Sequence, residues 1–273
     1  MTIKKAIEYA KEKNINYIDA KTLIKYLLKE DDKYLIINAN NNIDEELETK
    51  YKENISKILA GVPLQYITNN QEFMGEKFFV NEDVLIPQPD TEIVVEKTIE
   101  KAKEMLKNKT KIKILDLCTG SGAIAVSIKK ELKDRVYVHG SDISKKAIEV
   151  AKKNTLKILK NSEQIKFIES NLFENINEKY DIVVTNPPYI KTEDIINLPK
   201  DVKREPKIAL DGGIDGLEFY KKIRKEIIKF LEPNGYLIME IGYNQKEEVE
   251  RIYENSECIK DYNGNDRVII WKG

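Results

Sequence analysis

The sequence predicts an α/β protein with a mostly parallel, doubly wound sheet, preceded by a small all-α domain and a β-hairpin connector. Apolar residues recur at three-to-four spacing over the first 60 residues, which is typical of amphipathic helices. Beyond residue 110, short β-branched segments alternate with amphipathic ones, and strands joined by helices pair in parallel through right-handed crossovers. Between these parts the apolar segments are short and broken by asparagine and glycine, as in a hairpin.

The N-terminal region contains three amphipathic segments, each with a candidate N-cap: Thr2, Asp19 and Asp44. The third segment ends at Gly61, because Pro63 prevents its continuation. In the connector, aromatic and β-branched segments are expected to be extended at 65–67, 72–80 and 84–86. We therefore expect three parts, namely a helical domain over 1–62, a β-hairpin linker over 63–86 and a sheet domain over 87–273.

The sheet domain opens with Pro87 and Pro89, which hold the chain extended before a helix expected from about Thr91 to Leu106. Parallel strands are expected at 111–117, 136–141, 165–170, 180–186 and 235–242. Helices are expected to begin near Gly122, Ser144 and Gly216. The short turn at 263–265 predicts a closing antiparallel hairpin at the end of the sheet.

The composition limits the possible partners. Apolar residues make up 41% of the 273 residues, enough for a sizeable core, while 46 basic and 47 acidic side chains cancel to a formal charge of −1. No global positive field favours phosphate backbones, so we expect no stable nucleic-acid partner, although lysines could still gather on one folded face. Cys118 and Cys258 lack metal-ligand or disulfide spacing, and no apolar run reaches the roughly 20 residues of a membrane span. We expect a cytoplasmic monomer without metal or membrane anchor.

Ligands of open parallel sheets bind at the carboxyl ends of the strands. The first strand ends in Asp116-Leu117-Cys118-Thr119-Gly120-Ser121-Gly122, where glycines let backbone amides approach a ligand at a helix N-terminus. The same residues also suit a plain strand-to-helix turn. The spacing matches neither the dinucleotide fingerprint nor a phosphate-binding loop, and Asp116 suits a cationic group such as the ammonium of a methionine moiety.

The next two strand ends offer groups for a nucleoside. Asp142 follows the second strand, where a carboxylate can accept both ribose hydroxyls, and its alternative role is a helix cap. Asn171, Leu172 and Phe173 follow the third strand, where an amide can bind the adenine edge and apolar groups can enclose the ring. Core packing is the alternative for Leu172 and Phe173.

The fourth strand delivers Asn186-Pro187-Pro188-Tyr189 to the same edge. The prolines remove two donors and stiffen the turn, so a carbonyl and the Asn186 side chain form a fixed pair of acceptors. Such a pair suits a planar amino group conjugated to a carbonyl or a ring. Tyr189 is placed to stack on that group or to serve as a rim aromatic. The only histidine, His139, is expected on the second strand outside the cleft.

These motifs belong to a longer pattern. The sequence resembles the PrmC/HemK family of protein-(glutamine-N5) methyltransferases, which modify peptide-chain release factors. Nearly the whole chain takes part, through PLQYI at 63–67, EFMGEKFFV at 72–80, VLIPQPDTE at 84–92, ILDLCTGSGAIA at 114–125, NPPYI at 186–190, REPKIALDGGIDGLEFY at 204–220 and LIMEIGYNQ at 237–245. NPPY is shared with methyltransferases of nucleic-acid amino groups. The segments IPQPDTE and EPKIALDGGIDGLEFY narrow the resemblance to the glutamine methyltransferases.

The resemblance implies a class I S-adenosylmethionine-dependent methyltransferase domain with a seven-stranded sheet whose last strand is antiparallel. It further implies an N-terminal domain that helps dock a release factor, and methyl transfer to the glutamine of a Gly-Gly-Gln tripeptide, leaving S-adenosyl-L-homocysteine. With the residues assigned above, the cofactor site is Asp116, Cys118, Thr119, Gly120, Ser121, Gly122, Asp142, Asn171, Leu172 and Asn186. The glutamine site is Asn186, Pro187, Pro188 and Tyr189, of which Asn186, Pro187 and Tyr189 are the catalytic candidates.

Three positions depart from the family pattern: Gln88 replaces arginine, Cys118 replaces glycine and Asn171 replaces a common aspartate. Two other functions fit parts of the sequence. A DNA or RNA amino-group methyltransferase, acting on adenine N6, cytosine N4 or guanine N2, would use the same NPPY turn but would need a basic surface around the cleft. A non-catalytic assembly protein would keep the cofactor fold without methyl transfer.

Overall fold

The computed structural model describes all 273 residues, which form two compact units. The first unit comprises Met1–Asn69 and Pro199–Arg204, and the second comprises Asn70–Leu198 and Glu205–Gly273. None of the helices has the length and apolar character needed to cross a membrane.

The first unit is a helical bundle. Its helices are α1 (Ile3–Glu12), α2 (Tyr17–Leu28), α3 (Asp32–Ile37), α4 (Glu45–Leu59) and α5 (Leu64–Thr68). The amphipathic pattern buries one stripe of each long helix, and fully buried side chains of this core include Leu23, Ile24, Tyr51 and Ile55. The predicted helical region is therefore confirmed, with α3 as an additional short helix.

Two of the three predicted caps are confirmed in this unit. Thr2 and Asp44 accept hydrogen bonds from the backbone N–H groups of Lys5 and Leu47. The prediction for Asp19 is wrong, because Asn16 caps α2 and accepts from the Asp19 N–H at 2.8 Å. Asp19 instead lies in the first turn, where its carboxylate accepts from the Asn16 side chain.

The connector differs from the expectation at its two ends. Residues 65–67 are helical in α5, because the Pro63 carbonyl accepts from the N–H groups of Tyr66 and Ile67 and Leu64 is buried in the helical core. Residues 84–86 form no strand, since the Ile86 N–H donates to Glu205 Oε2 at 2.8 Å rather than to a neighbouring strand.

The middle of the connector forms the expected hairpin. Strands β1 (Gln71–Phe73) and β2 (Glu76–Phe78) pair antiparallel around Met74 and Gly75, whose φ angles of 49° and 72° define a two-residue turn of the type that favours hairpins. The rings of Phe73 and Phe78 meet edge to face and are buried in the core of the second unit.

The second unit is built around a seven-stranded sheet. Its strands are β3 (Ile112–Leu117), β4 (Val136–Asp142), β5 (Ile165–Glu169), β6 (Tyr180–Thr185), β7 (Leu231–Glu240), β8 (Glu257–Lys260) and β9 (Asp266–Lys272). The spatial order is β5-β4-β3-β6-β7-β9-β8, with β9 antiparallel to both of its neighbours and the remaining pairs parallel. The predicted sheet with an antiparallel last strand is confirmed.

Six helices belong to this unit: α6 (Glu92–Met105), α7 (Ala123–Leu132), α8 (Lys145–Leu159), α9 (Lys207–Leu210), α10 (Glu218–Phe230) and α11 (Lys246–Ile252). Two separate apolar cores show that helices cover both faces, with α6 and α7 in one core and α10 and α11 in the other. The chain order reverses between β3 and β6, so the carboxyl ends of these adjacent strands flank the position where ligands bind in such sheets.

Candidate active site

A cleft opens at this reversal point. Its cavity volume is about 120 Å³, and its mouth is open to solvent. Seven predicted residues line it: Cys118, Gly120, Asp142, Asn171, Leu172, Asn186 and Pro188. Other lining residues were not singled out from the sequence, among them Leu85, Ile143, Pro206, Ile208 and Phe219. Most of these lining residues lie in the segments VLIPQPDTE and REPKIALDGGIDGLEFY. The family resemblance was therefore the one feature of the sequence that pointed to them.

Asp116 lies beneath the loop that follows β3 and does not line the cleft. Its Oδ2 accepts from Thr119 Oγ1 at 2.5 Å and from the Ala125 N–H at 3.1 Å, while Oδ1 is buried without a partner. Burial raises the pKa of Asp116 to about 7, against the lowering effect of these two bonds. In this geometry the carboxylate braces the loop and the start of α7.

The loop itself follows a left-handed path at three positions. Cys118, Gly120 and Gly122 have φ angles of 63°, 53° and 79°, so Cys118 keeps a glycine-like conformation despite its side chain. A Cβ at Gly120 would meet no protein atom within 4 Å, whereas one at Gly122 would lie 3.0 Å from the Cβ of Ala151. Gly120 therefore borders open space, and Gly122 allows α8 to approach.

A buried asparagine that the sequence did not single out holds this loop from behind. Asn154 Nδ2 donates to the carbonyls of Ser121 and Phe79, each at 2.9 Å, and its Oδ1 accepts from the Phe79 N–H at 2.6 Å. Nothing in the local sequence around Asn154 signals this role, because it depends on a contact 75 residues away.

Asp142 is half-buried at the end of β4, and both of its oxygens face backbone donors. Oδ2 accepts from the Gly120 N–H and Oδ1 from the Ser144 N–H, each at 2.9 Å. Burial raises the pKa of Asp142, opposed by these amides. The cap of α8 is Ser144, whose Oγ accepts from the Ala147 N–H. Asp142 is therefore not the helix cap, and each oxygen retains a lone pair for a ligand.

The residues after β5 divide between cleft and core. Asn171 is exposed, and its Nδ2 donates to Glu174 Oε1 at 2.7 Å, which leaves Oδ1 as an acceptor. Leu172 is buried with a φ of 49° and lines the cleft. Phe173 stacks on Phe230 with ring centroids 4.6 Å apart and belongs to the core.

The turn after β6 is rigid and tightly packed. Asn186 and Pro188 line the cleft, Pro187 is buried, and Tyr189 is half-buried. Gln245 holds the turn from outside, since its Nε2 donates to the Tyr189 carbonyl at 3.0 Å and to the Gly216 carbonyl at 3.2 Å. A Cβ at Gly212 would lie 2.7 Å from the Tyr189 Cα, so only glycine permits this approach.

The Asn186 side chain points its nitrogen away from the cleft opening towards a buried polar cluster. Its Nδ2 donates to Thr91 Oγ1 at 3.2 Å, Thr91 Oγ1 donates to Glu240 Oε2 at 2.6 Å, and Tyr189 Oη donates to Glu240 Oε1 at 3.2 Å. Burial raises the pKa of Glu240 to about 7, opposed by Thr91 and by the nearby Arg267. The Asn186 Oδ1 accepts no hydrogen bond within the chain and is available to a ligand.

His139 and Gln88 do not line the cleft. His139 lies on β4 outside the cleft, with its Nδ1 2.9 Å from Tyr180 Oη. Gln88 is exposed, and its Nε2 donates to the Ile86 carbonyl. The structure contains no cluster of three or more side chains suited to holding a metal ion.

The sheet order, the glycine loop after β3, the carboxylate after β4 and the Asn-Pro-Pro-Tyr turn after β6 together define a class I S-adenosylmethionine-dependent methyltransferase. Comparison with known families agrees: residues 93–202 match the methyltransferase small domain, and residues 2–68 match the PrmC N-terminal domain.

Comparison with curated relatives shows which family of methyltransferases the chain belongs to. The chain is 43% identical to the release factor glutamine methyltransferase of Clostridium acetobutylicum, over 97% of this chain and 95% of the relative. It is also 40% identical to the release factor glutamine methyltransferase of Fusobacterium nucleatum, over 98% of this chain and 77% of the relative. The identity to the same enzyme of Clostridium botulinum is 40%, over 92% of this chain and 90% of the relative. The chain belongs to the release factor glutamine methyltransferase family.

Proposed function

We propose that this protein transfers a methyl group from S-adenosylmethionine to the side-chain amide nitrogen of the glutamine in the Gly-Gly-Gln motif of peptide-chain release factors. The names of its relatives support the substrate class. The observation that carries the proposal is the Asn186 side chain, which lines the cleft with Oδ1 free while its nitrogen is bound to Thr91. A free acceptor beside a proline-stiffened turn suits a planar NH₂ group.

The cleft fits the proposed cofactor. S-adenosylmethionine supplies a methyl group activated by the sulfonium, and S-adenosyl-L-homocysteine is left after transfer. The open space next to Gly120 admits a ligand against the loop of Cys118, Thr119, Gly120, Ser121 and Gly122. The two Asp142 oxygens each have a lone pair for a ribose hydroxyl, and Asn171 Oδ1 and Leu172 line the space proposed for adenine. Asp116 supports this site from beneath the loop.

The turn after β6 binds the amide in this proposal. Asn186 Oδ1 and the Pro187 carbonyl accept the two N–H groups of the glutamine, with Pro188 closing the wall and Tyr189 stacking on the amide plane. Binding both hydrogens orients the nitrogen, whose lone pair is otherwise conjugated with its carbonyl, towards the methyl group. Once the C–N bond has formed and the C–S bond has broken, the nitrogen releases one of its two protons to solvent. Positioning and preorganised acceptors can supply most of the acceleration of such a transfer, which needs no histidine.

We also propose that the helical domain over 1–62 docks the release factor and that 63–86 links it to the catalytic domain. Large apolar side chains exposed on the helical unit support a protein partner: Tyr17, Ile18, Ile36 and Ile37. Both cysteines are free thiols, which suits a reducing cytoplasm, and we propose that the protein acts there as a monomer.

The test is methylation of a purified release factor with isotope-labelled S-adenosylmethionine, followed by mass analysis of its tryptic peptides. We expect one added methyl group on the Gly-Gly-Gln peptide, and none when that glutamine is replaced by alanine. Parallel reactions with total RNA and duplex DNA test the nucleic-acid alternative. Label in RNA or DNA but not in the release factor would overturn the proposal, and tight cofactor binding without any transfer would favour a non-catalytic protein.

A further inference from the structure

The direction in which the Asn186 amide points is not fixed by its shape. Its oxygen and nitrogen are nearly equal in size, so only hydrogen-bond partners decide which of them faces the cleft. With the oxygen outward, Asn186 accepts an N–H group of the substrate amide. With the nitrogen outward, Asn186 would direct its own N–H group at the N–H group of the substrate amide, and no hydrogen bond could form between these two donors. The function proposed above, on which this inference rests, therefore requires one of two orientations.

When Glu240 is ionised, the cluster behind Asn186 has a single consistent pattern of donors. Ionised Glu240 carries no hydrogen and can only accept, and it accepts from Tyr189 on Oε1 and from Thr91 on Oε2. Thr91 has one hydroxyl hydrogen, and the 2.6 Å bond to Glu240 uses it. The Thr91 oxygen can then only accept from Asn186, which must turn Nδ2 inward.

The cluster is enclosed and charged in a way that maintains this pattern. Thr91 and Glu240 are 4% and 2% exposed, so water does not compete for their bonds. Arg267 is buried nearby, with Asp90 Oδ2 3.1 Å from its Nη2. Burial raises the pKa of Glu240, and the positive charge of Arg267 opposes this by favouring the ionised form. The groups come from separate elements, since Thr91 precedes α6, Glu240 ends β7 and Asn186 follows β6.

We propose that Thr91 and Glu240 are positioning residues that set the orientation of the Asn186 amide, with Glu240 imposing the direction and Thr91 transmitting it. Neither residue lines the cleft, and both act through Asn186. Tyr189, bound to the other oxygen of Glu240, is held by the same carboxylate.

The first test removes only the hydroxyl. Thr91→Val should lower kcat for release factor methylation about 10- to 100-fold, as for other residues that orient a functional group from behind, and should leave the Kd for S-adenosylmethionine unchanged. Thr91→Ser, which keeps the hydroxyl, should restore most of kcat. The matched control is Thr98→Val in α6, the helix that Thr91 precedes, where a buried threonine hydroxyl donates only to the Val94 carbonyl. Thr98→Val should keep wild-type kcat.

The second test reverses the direction without changing the shape. In Glu240→Gln, the new amide can accept from Tyr189 and donate to Thr91, so the Thr91 hydroxyl becomes a donor to Asn186 and draws its oxygen inward. We expect kcat to fall as in Thr91→Val, and we expect the double variant to be no slower than either single variant.

A third readout does not need methyl transfer. In the cofactor-bound protein, the Asn186 side-chain NH₂ should exchange slowly with solvent in the wild type and in Thr91→Ser, and rapidly in Thr91→Val and Glu240→Gln, measured by nitrogen-edited NMR with Asn186→Asp for assignment. Wild-type kcat in Thr91→Val, an equal loss in Thr98→Val, or unchanged exchange in Glu240→Gln would each overturn the inference. Failure of the wild type to methylate a release factor would instead remove the proposed function, while the exchange measurement would still test the orientation.

Discussion

Replacing Asp142 by alanine should weaken binding of S-adenosylmethionine by about 2 to 3 kcal/mol. The proposed ribose contacts are two hydrogen bonds to a carboxylate, and each such bond contributes about 1.5 to 3 kcal/mol. In the variant, water that fills the space of the carboxylate binds the ribose hydroxyls and recovers part of this energy. The structure adds a second cost, because Asp142 also accepts from the Gly120 N–H, and losing that bond loosens the loop beside the cofactor. The expected result is a Kd about 30- to 150-fold higher.

Isothermal titration calorimetry with S-adenosylmethionine and with S-adenosyl-L-homocysteine measures this change. Both ligands carry the same ribose, so both should weaken equally. Glu169→Ala is the matched control, since Glu169 stands opposite Asp142 in the adjacent strand β5, is exposed, and does not line the cleft. A Kd that stays at the wild-type value in Asp142→Ala, in a variant that melts cooperatively, would refute the ribose assignment.

Three other perturbations have defined outcomes. Asn186→Ala should lower kcat about 100-fold or more and weaken cofactor binding far less, because its oxygen mainly binds the reacting amide. Single-turnover assays with calorimetry check this, and equal losses in both would contradict the assignment. Gly212→Ala should cost about 1 to 3 kcal/mol of stability and slow turnover, because its Cβ would press on the Tyr189 backbone; denaturant unfolding that matches the wild type would contradict the packing. Burial raises the pKa of Glu240 from 4.5 to about 7, so between these pH values the folded protein holds a proton there that the unfolded chain has released. Stability should therefore fall as pH rises between these values, by up to about 1.4 kcal/mol per pH unit, and should level off above them. The difference in unfolding free energy between wild type and Glu240→Gln, measured from pH 5 to 8, isolates this contribution, and a difference that does not vary with pH would contradict it.

Much of the fold followed from the sequence because its signals are local. The alternation of β-branched and amphipathic segments predicted the strands and long helices, and the asparagine-glycine turn predicted the closing hairpin, since periodicity and turn chemistry act within a few residues. The failures occurred where tertiary contacts outweighed local preference. Residues 65–67 became helical against the helical core, and Ile86 bonded to Glu205 instead of to a strand.

The candidate site divides in the same way. The residues at strand ends could be named in advance, because parallel strands bring their carboxyl ends to one edge whatever the details of packing. Asn154, Gln245 and the Thr91–Glu240 pair could not be identified from the residues around them, since the partners described above lie 29 to 149 residues away, and only the folded chain brings them together.

The sequence by itself determined the order of the elements, the glycine loop after β3, and the Asn-Pro-Pro-Tyr turn, because each depends on backbone propensities and on residue types at fixed spacing. Only the tertiary structure decided that Asp116 braces the loop beneath the cleft, that Ser144 rather than Asp142 caps α8, and which way the Asn186 amide points. Those outcomes depend on which donor meets which acceptor in a buried environment, and a linear chain does not specify such pairs until it has folded.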